Sequence, residues 1–93
     1  MSLMSNPNEV NVAGRQVNVQ PLIDKFGNSP HSNRQEIRAW IERNMRRFPD
    51  LGKVVVEAQD KEENIEHGYN ILETVADELL DAVIDKGLMS LGN

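Results

Sequence analysis

The sequence predicts an α+β fold, predominantly helical, built as one small domain. Three observations carry that expectation. Asp60 to Gly87 reads as one long helix with a start and a stop signal. Ser32 to Phe48 reads as a second, arginine-rich helix ending at a proline. Glu9 to Gln20 carries alternating valines on either side of a glycine, the pattern of a hairpin.

Taken in chain order, residues 1–8 read as a disordered leader, with 1–3 as an expression leader ahead of a natural start at Met4. The domain is expected to occupy 9–93. A two-residue turn at Gly14-Arg15, with glycine supplying the positive φ of a type II′ turn, pairs Val12 with Val17 and Val10 with Val19. All four valines then share one face and the asparagines Asn11 and Asn18 the other. A lone hairpin is marginal in water, so this face needs a helix to pack on.

Pro21 to Phe26 predicts a short helical turn ending at Gly27, and Asn28-Ser29-Pro30-His31 a turn. The next helix, over 33–48, is capped by Ser32, with Gln35 three residues on. Ile37, Trp40, Ile41, Met45 and Phe48 form its apolar face, and Pro49 stops it. Three consecutive valines, Val54 to Val56, favour a short third strand over 53–57. The alternative is a helix from about Asp50, because Leu51, Val55 and Ala58 continue the apolar spacing of the long helix backwards.

The long helix is expected over 61–86. Asp60 is its N-cap and Glu63 the reciprocal residue. Gly87 with Leu88 forms a Schellman stop. Ile65, Tyr69, Leu72, Ala76, Leu79 and Val83 recur at alternating intervals of four and three, a heptad seam. With Ile71, Val75, Leu80, Ala82 and Ile84 on its flanks, the apolar arc spans about 220°, against the ≳100° stripe of an ordinary surface helix. Such an arc needs cover on two sides, so this seam is the candidate self-association surface and a homodimer the expected assembly.

Charge is divided along the chain. Eight basic and five acidic residues precede Val54; two lysines and ten carboxylates follow, within a net charge of −5. Glu66, Glu73, Asp77, Asp81 and Asp85 line the polar face of the long helix and form a candidate face for a basic protein partner, in the manner of an acidic decoy or inhibitor. Arg34, Arg38, Arg43, Arg46 and Arg47 form a candidate basic surface. Glu42, four residues from both Arg38 and Arg46, offers them local pairing, and the acidic balance makes nucleic acid the less favoured partner of this helix.

The chain has no cysteine, glycine-rich phosphate loop or nucleophile elbow. Glu63 and His67 at i, i+4, with His31 distant, supply fewer ligands than a metal site needs. No catalytic, cofactor or metal residue is therefore assigned. With no apolar run long enough to span a membrane, the chain reads as a cytoplasmic, non-enzymatic interaction protein.

Overall fold

The computed structural model describes residues 8–27, 33–61 and 70–89. The element order is β1 (Glu9–Val12), β2 (Arg15–Asn18), α1 (Gln20–Phe26), α2 (Arg34–Arg43), a 3-10 turn (Met45–Arg47), α3 (Pro49–Lys61) and α4 (Ile71–Asp85). The fold is α+β and mostly helical, with one antiparallel hairpin at its N-terminal end.

The hairpin forms, but its register differs from the expected one by two residues. Val10 pairs with Val17 and Val12 with Arg15. The turn lies at Ala13-Gly14, with φ of 53° and 86°, the positive pair that a type I′ turn requires. Asn11 Oδ1 accepts a hydrogen bond from the Gly14 N–H at 3.1 Å, which supports the turn from its solvent side. Side chains alternate with period two, so a shift of two keeps every residue on its face. Val10, Val12, Val17 and Val19 are accordingly all buried together. The shifted register also pairs Val19 N–H with the Asn8 carbonyl before the chain turns into α1. Asn18 Oδ1 accepts from the Gln20 N–H there, satisfying a donor of the first helical turn.

α2 starts one residue later than the expected Ser32 cap. Asn33 is the N-cap, its side-chain oxygen accepting from the Glu36 N–H at 2.8 Å. Nor is the helix continuous to 48. It ends at Arg43, where the Asn44 side chain donates back to the Trp40 carbonyl, and a 3-10 turn follows. Pro49 does more than stop this segment, because its fixed φ and missing N–H suit the first turn of α3.

The expected strand over 53–57 is therefore helix. In helical spacing Leu51, Val54, Val55 and Ala58 fall on one face. Leu51 and Val54 are buried, and Val55 and Ala58 pack on the same core. Burial of that stripe against β2 and α4 outweighs the β-preference of three valines, which is a weak and context-dependent term.

α4 is the centre of the molecule. It packs against α2, α3 and β1, and Val75, Ala76, Leu79, Leu80 and Val83 are buried in those contacts. Its start is a further correction. Asp60 lies inside α3, and the N-cap of α4 is Asn70, whose side chain accepts from the Glu73 N–H at 2.9 Å. The 61–86 helix is thus not one element beginning at Asp60; residues 62–69 lie outside the described residues. The stop is as expected. Gly87 has φ 80°, its N–H reaches the Ile84 carbonyl, and the Leu88 N–H reaches the Val83 carbonyl. These are the two bonds of a Schellman motif. Lys86 Nζ donates to the Glu9 carbonyl at 2.6 Å, fastening this end of α4 to β1.

The remaining corner of the core is aromatic. Trp40 stands edge-on to Phe26 at 5.6 Å and to Phe48 at 6.1 Å between ring centroids. It joins α1, α2 and the entry to α3 through contacts worth about 1 kcal/mol each beyond area burial.

Two substitutions check these local assignments. Ala13→Asn places the preferred residue at the left-handed first position of the turn and should stabilise by roughly 0.5–1 kcal/mol in urea unfolding. Asn70→Ala should destabilise by about 1 kcal/mol as a lost cap. If α4 instead ran unbroken through position 70, alanine there would stabilise by a few tenths of a kcal/mol.

Candidate interaction surfaces

Among the described residues, arginines of α2 and carboxylates of α4 form the densest polar contact. Arg34 lies one turn before Arg38, so both project along one edge of α2. Glu73, Asp77 and Asp81 repeat the same spacing on α4. With α2 and α4 packed together, the two rows meet. Arg34 Nη2 bonds Asp81 Oδ1 at 2.7 Å and its Nε lies 3.4 Å from Asp77 Oδ1. Arg38 Nη1 lies 3.0 Å from Glu73 Oε2 and 3.8 Å from Asp77 Oδ2, while its Nε lies 3.5 Å from Glu42.

This network answers the like-charge strain along α4. Three of the candidate acidic residues face cations of the same chain instead of one another. The hydrogen bond to Asp81 holds the Arg34 guanidinium above its ordinary arginine pKa, with burial working against it. A raised folded pKa means that this contribution is fully present below the ordinary arginine value, and so throughout the neutral range. Arg38 Nε and Asp77 Oδ1 are shielded from water without a hydrogen-bond partner, so that part of the contact is coulombic.

The sequence-derived candidates therefore separate. Of the self-association seam, Ala76, Leu79 and Val83 are buried within the chain. Leu72 is half-buried, and Ile65 and Tyr69 lie outside the described residues. Of the acidic face, Glu73, Asp77 and Asp81 are engaged by α2. Asp85 is exposed, and Glu66 lies outside the described residues. Of the basic surface, Arg34 and Arg38 are engaged. Arg43, Arg46 and Arg47 are exposed. The metal-weighed Glu63, His67 and His31 also lie outside the described residues. Among the described residues no group of three or more acidic or histidine side chains is placed to hold a metal ion, and no helix is long and apolar enough to cross a membrane.

Among the described residues, two open grooves flank the hairpin. One, of about 480 Å³, runs between β1 and the end of α4, lined by Glu9, Asn11, Gln16, Ala82, Asp85 and Lys86. Lys86 already spans its floor to the Glu9 carbonyl. The other, of about 400 Å³, lies on the outer face of α3, lined by Arg15, Pro49, Gly52, Lys53, Val56 and Glu57. Val56 is 56% exposed, the large apolar side chain most open to solvent among the described residues. A side chain built at Gly52 would meet nothing within 4 Å. Arg15 bonds Glu57 at 2.6 Å along one rim, and Lys53 lies 3.7 Å from Asp50 along another.

This second surface was missed in the sequence because the valine run reads most simply as a strand. The alternative helix carried the signal: its apolar spacing includes Val55 and leaves Val56 outside. No family model, curated protein or solved structure matches the chain.

The ion network has its own test. A double-mutant cycle of Arg38→Ala and Glu73→Ala should return a coupling of about 0.5–1 kcal/mol, since both side chains are partly exposed. The coupling should shrink in concentrated NaCl.

Proposed function

We propose that this chain is a non-enzymatic interaction module that self-associates. Its described surface supports that reading through the outer face of α3. The single observation that carries it is the apolar strip of Pro49, Gly52 and Val56, at helical spacing and open on the outer face of α3.

The heptad residues Ala76, Leu79 and Val83 serve the core of each copy, so the contact between copies is assigned to α3 instead. Gly52 allows a second helix to approach the backbone closely. An antiparallel two-fold pairing centred near Gly52 lays the Pro49, Gly52 and Val56 strips of the two copies against each other, with the helix dipoles opposed. The strip is small, so the association is of the weak, transient kind.

Light scattering or sedimentation across a concentration series tests this. The parent chain should pass from monomer to dimer by about 100 µM, and Val56→Glu should remain monomeric with unchanged circular dichroism. A parent that stays monomeric throughout, or a Val56→Glu variant that dimerises equally well, would sink the proposal.

A further inference from the structure

We infer that the outer edge of β1 is a docking site for an extended, cationic segment of a partner protein, which joins the hairpin as a third strand. The directions of the backbone groups define this edge. The Val19 N–H bonds the Asn8 carbonyl, so Asn8 and Val19 are a hydrogen-bonded pair of the ladder. Such pairs alternate with pairs whose backbone groups point outward. Val10–Val17 and Val12–Arg15 therefore close the ladder, and the N–H and C=O of Glu9 and Asn11 face away from β2. The Lys86 contact agrees with this, because the carbonyl that its Nζ reaches from the end of α4, at 2.6 Å, is that of Glu9.

Most of this edge is open. Among the described residues the sheet has two strands, and the Glu9 N–H and both backbone groups of Asn11 have no partner. Unpaired groups on a strand edge are a template for another strand, and native proteins cover or blunt them. Here a single exposed lysine covers one carbonyl, and the groove of about 480 Å³ runs beside the rest. A strand entering that groove takes over the Glu9 carbonyl, and the Lys86 ammonium returns to water.

The walls of the groove select the occupant. Glu9 and Asp85 contribute two carboxylates, and neither is in an ion pair among the described residues. Val10 and Ala82 contribute short apolar side chains. Side chains of an added strand alternate between faces. Those beside Glu9 and Asn11 lie on the open face of the hairpin, and those beside Val10 lie toward Ala82 on α4. A segment that alternates lysine or arginine with valine or alanine meets both requirements, and the net charge of −5 attracts it. A second copy of β1 fits less well, because it brings another Glu9 to a groove that already holds two carboxylates.

The test uses the full chain and a fluorescein-labelled peptide of about eight residues that alternates lysine with valine. Fluorescence anisotropy at low salt should show saturable binding, and Glu9→Lys combined with Asp85→Lys should weaken it at least about tenfold. Charge attraction without strand pairing would do the same, so two further peptides carry N-methyl groups, one on its lysine amides and the other on its valine amides. Only one of these sets faces β1, so one peptide should lose binding and the other keep it. Retention by both or loss by both would overturn the inference, as would failure of the unmodified peptide to bind. Asn11→Pro removes an outward N–H at a place where an edge strand tolerates proline. It should bind at least about tenfold more weakly with unchanged circular dichroism, and equal binding would overturn the inference; if this variant unfolds, the methylated pair decides. Val56→Glu should bind like the parent. A loss there as large as that of the Glu9 and Asp85 variant would place the peptide on α3 and overturn the inference.

Discussion

Everything in this fold depends on burying a helix that is apolar over more than half of its circumference. A surface helix hides one stripe; α4 must hide Val75, Ala76, Leu79, Leu80 and Val83 in several directions at once. Among the described residues three different neighbours do this. α2 covers one side, while the hairpin and α3 close over the others. Each neighbour is too small to be stable alone, since neither a hairpin of four-residue strands nor a ten-residue helix is stable by itself in water. Each acquires its order from the helix it covers.

Charge follows the same geometry. Once α2 and α4 are side by side, the carboxylate row on α4 and the arginine row on α2 can relieve each other. The contact is partly exposed, so its value lies less in stability than in direction. It fixes which edge of α2 meets α4, and Arg43, Arg46 and Arg47 stay exposed beyond that contact. The same logic applies to α3. Turning Leu51 and Val54 inward leaves Val56 outward. In both places the exposed face is what remains after the core has taken what it needs.

Much of this was legible in the residues, and the failures have physical causes. The hairpin face was legible because strand side chains alternate. Its register was not, since two turns around Gly14 satisfy the same alternation. The Schellman stop at Gly87 was legible because few residues other than glycine take φ of 80° comfortably. The start of α4 was not, because Asn70 interrupts no apolar spacing and Asp60 offers an equally good cap chemistry. Residues 53–57 were misread because β-preference is a local signal, and the helix there is held by contacts distant in sequence. The candidate surfaces were legible as lists of charged and apolar residues. Which of them are free depended on how α2 lies on α4.

The sequence by itself determined the fold class, the shared face of the four valines, the arginine-rich helix, the stop of α4 and the excess of apolar surface that α4 must hide. Those features are set by periodicity and by the backbone preferences of single residues, which act over a few positions. Tertiary structure alone decided that 49–61 is helical, that Asn70 begins α4, and that Arg34 and Arg38 are committed while three other arginines are not. These outcomes turn on which elements become neighbours. Burial and ion pairing between segments more than forty residues apart are energies that no local stretch of the chain contains.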